Sequence, residues 1–276
     1  MNYRHAFHAG NFADVVKHAV LCLLVAHLKA KEAAFSVLDS HAGAGLYDLE
    51  ADSAARTGEA RGGVLAVLAA PDEPLLAPYR ALVLAANPGG GLRYYPGSPM
   101  LVRGLLRPQD RLVAIEKHPD DGRALRRLFA GDRQVAVHRG DGYAAVKALL
   151  PPKERRGLVL IDPPYEEADE FPRILRALAD GLARWAAGIF AVWYPIKDPE
   201  LPRRFLEEVG ALGRPALAAE LLIRPASDPA RLNGCGMAIV NPPWRSDAAL
   251  AELFPALGRA LGARGGFDVR NLGNTG

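Results

Sequence analysis

Cysteine is nearly absent: Cys22 and Cys235 are the only two in 276 residues. They form no C-x-x-C pair, which excludes a disulfide scaffold and a cysteine-built zinc site and leads to the expectation of a reducing, cytoplasmic setting. Long hydrophobic runs are missing too. The longest, around residues 19–28, contains His27 and is about half the length a bilayer-spanning helix needs. The N-terminus, Met1-Asn2-Tyr3-Arg4-His5, lacks a signal-peptide pattern, so no membrane partner is expected. Neither sign of charge dominates: 34 basic residues, mostly arginine, face 31 acidic ones for a net charge of +3. This permits a nucleic-acid partner without requiring one. His5, His8 and His18 share no spacing with cysteine or carboxylate, so no metal is expected.

What is present is a core. Half of the residues are hydrophobic, enough for one large α/β unit with a small appendage. The central stretch is Gly157-Leu158-Val159-Leu160-Ile161-Asp162-Pro163-Pro164-Tyr165-Glu166. Its apolar run reads as a strand buried on both faces of a parallel sheet. Two prolines then remove two amide donors and stop the strand at Asp162. The resulting corner offers a carboxylate, the Pro163 carbonyl and the Tyr165 ring. Such a corner suits a planar base with an exocyclic amine, which the two oxygens can hold while the ring stacks on it.

The remaining chain reads in order as a helix over 13–31, a strand over 35–40 and a glycine corner, His41-Ala42-Gly43-Ala44-Gly45. A strand feeding a glycine turn is a nucleotide-binding corner, where Gly43 lets the backbone approach a ligand. The third glycine of a dinucleotide fingerprint is absent, since position 48 is Asp, and no diphosphate cradle is implied. His41 reads as a ligand contact or a turn residue. Lys17 and His18 read as site residues or as a solvated helix face. Residues 47–93 break the doubly wound pattern and read as a small helical insertion. Ser98 reads as a helix cap, with a ligand contact as the alternative. Glu116 ends the next strand, where such folds set a carboxylate on ribose hydroxyls. Asp141-Gly142 follows a third strand: Asp141 can accept an adenine amine or close an Asx turn, and Gly142 allows a ring to approach. Further strands are expected over 188–194, 217–224 and 236–240, a last helix over 248–261, and a flexible tail over 265–276. Asn241-Pro242-Pro243-Trp244 repeats the four-residue pattern of the corner, but at the end of an antiparallel last strand it would point away from the crevice.

Asp162-Pro163-Pro164-Tyr165 resembles the fourth motif of amino-methyltransferases dependent on S-adenosylmethionine (SAM). Three longer runs sharpen the likeness: Tyr3-Arg4-His5-x-Phe7-His8-Ala9-Gly10-Asn11-x-Ala13-Asp14-Val15-x-Lys17-His18, Asp39-x-His41-Ala42-Gly43-Ala44-Gly45, and Arg93-Tyr94-Tyr95-Pro96-Gly97-Ser98-Pro99. With them the chain, to about Trp244, resembles the RlmJ family of bacterial 23S ribosomal RNA adenine-N6 methyltransferases. The resemblance implies a Rossmann-like α/β methyltransferase fold of seven strands, the last antiparallel. The methyltransferase domain would span 1–46 and 94–276, with 47–93 inserted. Asp162 would be the catalytic acid. Lys17, His18, His41, Gly43, Ser98, Glu116, Asp141 and Gly142 would hold SAM, and Tyr3, Pro163 and Tyr165 would hold the target base. The products would be N6-methyladenine and S-adenosylhomocysteine.

A base inside a helix cannot reach such a corner, so the target must be flipped or unpaired, which suits structured RNA. A DNA adenine methyltransferase is the nearest rival, disfavoured because no sizeable second domain remains to read DNA. An NAD-dependent oxidoreductase fits the strand–glycine–acid order but has no use for Asp-Pro-Pro-Tyr. A monomer acting on ribosomal RNA, with no DNA partner, is the expectation.

Overall fold

A computed structural model describes residues 7–51 and 58–273. The chain begins with helix α1 (Phe12–Lys29), capped by the Asn11 side chain on the Asp14 amide, and enters strand β1 (Ser36–Asp39). Strand β2 (Leu46–Asp48) leaves the glycine corner, followed by helices α2 (Val64–Ala69) and α3 (Ala77–Ala85). Strand β3 (Tyr94–Pro96) returns antiparallel to β2, so the intervening segment departs and comes back through one two-stranded ribbon. Helix α4 (Ser98–Leu105), β4 (Arg111–Glu116), α5 (Pro119–Leu128), β5 (Val135–Arg139) and α6 (Gly142–Leu149) follow. The chain continues with β6 (Gly157–Ile161), α7 (Glu170–Arg184), β7 (Ile189–Ile196), α8 (Glu200–Gly210), β8 (Ala216–Leu222), β9 (Gly234–Val240), α9 (Ser246–Leu261) and β10 (Gly266–Leu272). Expected and observed boundaries differ by a few residues, as fraying ends do.

The main sheet runs β10-β8-β9-β7-β6-β1-β4-β5. The chain reverses its direction of travel between β1 and β6, which pair in parallel with Asp39 opposite Leu160. That is the switch point, where side chains at the carboxyl ends of strands face a common crevice. With β9 antiparallel between parallel neighbours, this is the Rossmann-like methyltransferase fold. One expectation fails. The tail is not flexible over 266–272 but adds an eighth strand, β10, antiparallel to β8. Along it Phe267 and Val269 alternate with Asp268 and Arg270, and the strand lies at the edge of the sheet.

Strand β6 explains the layering. Leu158 and Leu160 pack into one core with α1 and α9, while Val159 and Ile161 pack into the other with α7 and α8. All four are fully buried, each stabilising by about 1.5–3 kcal/mol relative to exposure. Val64, Val67, Tyr79 and Val83 of α2 and α3 join the core of α1, so the segment after the glycine corner packs against the helix that precedes β1. Among the described residues no helix is long and apolar enough to cross a membrane.

Candidate active site

A cleft of about 1010 Å³ opens over the carboxyl ends of β1, β4 and β6. That is the upper end of the usual range for small-molecule pockets, with room for two ligands side by side. Lys17, His18, His41, Gly43, Ser98, Glu116, Asp141, Gly142, Asp162, Pro163 and Tyr165 all line it. Tyr3 lies outside the described residues.

Asp162 ends β6 with its side chain 13 % exposed. Its Oδ2 accepts a 2.5 Å hydrogen bond from Lys17 Nζ, which also donates to Asp14 Oδ1 at 2.8 Å. Asp14 Oδ2 in turn accepts from the Gly10 amide. Lys17 is therefore not on a solvated helix face: its side chain is only 5 % exposed. Burial works against its charge, but the carboxylates of Asp14 and Asp162 outweigh burial and hold the ammonium well above its ordinary value. Asp162 Oδ1 accepts no hydrogen bond from the described residues and is left for a ligand in the cleft.

Strand β1 contributes Asp39, fully buried beside this cluster. Burial, aided by the nearby Asp162 charge, pushes its carboxyl up to about 7 against the Ser98 hydroxyl and Lys17. Contrary to the expected cap role, the Ser98 side chain does not cap α4. Gly97 occupies the cap position and Ser98 Oγ donates to Asp39 Oδ2 at 2.7 Å. His18 shares a 2.7 Å hydrogen bond through Nδ1 with the Tyr95 hydroxyl, so this neighbour of Lys17 is also buried rather than solvated.

At the glycine corner, Gly43 takes φ +62°, and a Cβ there would lie 2.1 Å from the Tyr47 hydroxyl. Its amide donates to Glu116 Oε2 at 2.7 Å, and the His118 amide donates to Oε1 at 2.6 Å. Burial raises the Glu116 carboxyl above its ordinary value despite these two donors. Burial also lowers His41, to about 4, so its ring is neutral at pH 7. Ser40 Oγ spends its proton on the Leu160 carbonyl, which assigns the His41 proton to Nδ1, 2.8 Å from that oxygen, and leaves Nε2 an acceptor.

Asp141 does form the cap: its Oδ1 accepts from the Tyr143 and Ala144 amides. Its Oδ2 faces Lys117 at 3.3 Å and Arg173 at 3.5 Å. Burial raises the carboxyl, but the Ala144 amide and Lys117 prevail and it sits below its ordinary value. Gly142 is demanded by its own fold, since a Cβ there would lie 2.0 Å from the Ser40 carbonyl oxygen. One close approach that needs glycine is thus between the residue after β1 and the start of α6. Tyr165 adopts φ +53°, uncommon for a bulky residue, with its hydroxyl on the Trp193 carbonyl at 2.7 Å. Phe171 and Trp193 meet its ring edge-to-face.

The second Pro-Pro motif is separate. Asn241 follows the antiparallel β9 and its side-chain amide donates to the Ala186 and Gly188 carbonyls, outside the cleft. Among the described residues no group of three His, Cys, Asp or Glu is placed to hold a metal ion. Sequence reasoning gave no role to Asp14 and Asp39; their signal was an acid three residues before Lys17 and an acid ending β1.

The model of the family described as ribosomal RNA large subunit methyltransferase D, RlmJ, matches residues 32–272. A Haemophilus influenzae protein named ribosomal RNA large subunit methyltransferase J is 43% identical over 264 residues, covering 95% of this chain and 94% of its own. An Escherichia coli protein of the same name is 43% identical over 259 residues, covering 93% and 92%. Among solved structures, a Legionella pneumophila protein superposes with a TM-score of 0.89 at 32% identity, covering 96% of this chain and 98% of that one.

Proposed function

This chain belongs to the RlmJ family of ribosomal RNA large subunit methyltransferases, and we propose that it moves a methyl group from SAM to N6 of an unpaired adenine in 23S ribosomal RNA. The observation that carries this reading is Asp162: a carboxylate at the switch point, gripped through Oδ2 by a buried lysine and open at Oδ1. In this reading residues 1–46 and 94–276 form the methyltransferase domain, acting as a monomer, and 47–93 form an inserted helical unit.

The cleft's polar groups fit SAM at one end. Glu116, on the end of β4, would take the ribose hydroxyls, and Asp141 the adenine amine. The Asp39–Ser98 pair, Lys17, His18 and the neutral His41 would surround the methionine part. His41 Nε2 is an acceptor there, suited to an ammonium rather than a carboxylate. SAM supplies an electrophilic methyl on a sulfonium, leaving S-adenosylhomocysteine. No metal is needed for that chemistry.

Adenine N6 is a weak nucleophile because its lone pair is delocalised into the ring. Asp162 Oδ1 and the Pro163 carbonyl each accept one N6 hydrogen, which localises the lone pair toward the methyl. Fixing both hydrogens converts the step into one governed by position. Pro163 and Pro164 hold the corner rigid, with no amide hydrogens to compete for these acceptors. The Tyr165 ring, set by its neighbours, offers the stacking surface, and Tyr3 would be a further contact to the base. After transfer, Asp162 takes the proton. Incubating the protein with SAM and unmodified ribosomal RNA, then digesting the RNA to nucleosides, tests the reading: N6-methyladenine should appear.

A further inference from the structure

Among the described residues six cationic side chains line the cleft, and they divide by whether a carboxylate holds them. Lys17 is paired with Asp14 and Asp162, Lys117 with Asp141, and Arg173 with Asp141 and Glu170. The other three are Lys197, just past β7, and Arg224 and Arg231 on the loop joining β8 to β9. None of them has a carboxylate partner among the described residues.

The loop that carries them is built rather than loose. Asn233 is fully buried at its end, and its side-chain amide donates to the Lys197 carbonyl at 2.9 Å and the Asp228 carbonyl at 2.7 Å. The Asn233 amide donates to the Ile196 carbonyl, and its own carbonyl accepts from the Ile223 and Arg224 amides. One buried residue thus ties the strand end bearing Lys197 to the loop bearing both arginines. Arg224 is half-buried and donates to the Leu232 carbonyl, while Lys197 and Arg231 are exposed. The loop's own acid, Asp228, is occupied by the Ala230 amide, and Asp198 by the Glu200 amide. Glu166 and Glu167 also line the cleft, beyond Tyr165.

Unpaired cations on a pinned rim beside the corner that takes the base are arranged for a polyanion. We propose that Lys197, Arg224 and Arg231 hold the phosphates on either side of the nucleotide presented to Asp162. The inference rests on the reading of the cleft as an RNA methyltransferase site. It adds which surface the RNA strand follows: over the β8–β9 loop. Phosphate contacts position a strand without reading its sequence. The loop therefore sets where the base enters, and the Asp162 corner sets which base reacts.

The test is the salt dependence of methyl transfer to a ribosomal RNA fragment by the intact protein. Arg231→Ala combined with Lys197→Ala touches only exposed side chains, and an unchanged melting temperature and SAM affinity would certify the fold. The expected result is a KM for RNA raised at least about fivefold at low salt, with a salt slope shallower by roughly 0.7 for each cation removed. Turnover at saturating RNA should stay within about twofold, and Arg231→Lys should keep the slope. An unchanged KM and slope in the double variant, with the parent protein methylating RNA normally, would overturn the phosphate rim and leave the methyltransferase reading standing. A fall in saturating turnover with KM unchanged would also overturn it, since the residues would then act on the base. If the parent protein put no methyl group into RNA, the reading beneath the inference would itself be wrong.

Discussion

Lys17 Nζ lies 2.5 Å from Asp162 Oδ2 across a separation of 145 residues, with Asp14 on its other side. One ammonium from the first turns of α1 therefore aims the carboxylate that ends β6. It also links that carboxylate to the Gly10 backbone through Asp14. The N-terminal segment and the reactive corner are one hydrogen-bonded unit.

Replacing Lys17 with Met should damage both stability and chemistry. It leaves the buried Asp14 and the largely buried Asp162 without the cation they share, and breaking a buried pair by removing one partner destabilises by about 3–5 kcal/mol. Melting temperature and methyl transfer should both fall, and Lys17→Arg should recover more of the first than of the second. A Met variant with parental turnover would show that Asp162 needs no such alignment.

Glu116→Ala should weaken SAM binding by about 1.5–3 kcal/mol, roughly 10- to 150-fold in Kd, the scale of a hydrogen bond to a charged group. Calorimetric titration measures this directly. The Gly43 and His118 amides lose their acceptor in the same change, so a modest loss of stability should accompany it. An unchanged Kd would mean Glu116 serves only to hold the glycine corner.

How much of this was legible in the sequence depended on the range of the interactions. The motif strand, the glycine corner and the acids at 116 and 141 are local patterns, and the cleft collects them as expected. The Asp39–Ser98 contact and the Lys17–Asp162 pair join distant segments, so Ser98 read as a cap and Lys17 as a candidate for the helix surface. The tail misled for another reason. Strand β10 has a short, half-polar pattern, and its order comes from backbone pairing with β8, for which the sequence carries no separate mark. Gly142 was expected to admit a ligand. The Ser40 carbonyl, just past β1, is a further reason for glycine there, a close approach visible only once the sheet is assembled.

Asp39 should make stability depend on pH. Its ordinary value is 3.8 and burial lifts it to about 7 in the folded protein. The folded state therefore keeps a proton that the unfolded chain releases between those limits. Stability from this group is complete below about 3.8 and is lost as pH rises through about 7. The span corresponds to roughly 4 kcal/mol at most. Urea denaturation from pH 4 to 8 should show the parent protein losing stability relative to Asp39→Asn as pH rises. A difference between the two that stays flat with pH would refute this account of Asp39.

Tyr165→Phe removes the hydrogen bond to the Trp193 carbonyl but keeps the ring. It should lower stability by about 1 kcal/mol and leave turnover nearly unchanged. Tyr165→Ala also removes the face available to the base, worth about 1–3 kcal/mol in stacking, and should raise the KM for RNA. Equal losses in Phe and Ala variants would assign the role to the hydroxyl.

In the proposed reaction Asp162 directs methyl transfer from SAM to adenine N6 in ribosomal RNA. Ribosomal RNA from a strain lacking this protein, incubated with methyl-labelled SAM and purified protein, should yield labelled N6-methyladenine by mass spectrometry of the nucleosides. Asp162→Ala should abolish that signal while binding SAM nearly as before, since loss of one transition-state hydrogen bond already lowers turnover by about 10²–10³. Label on a different atom or in no nucleoside, or a parental yield of N6-methyladenine from the Ala variant, would contradict the account.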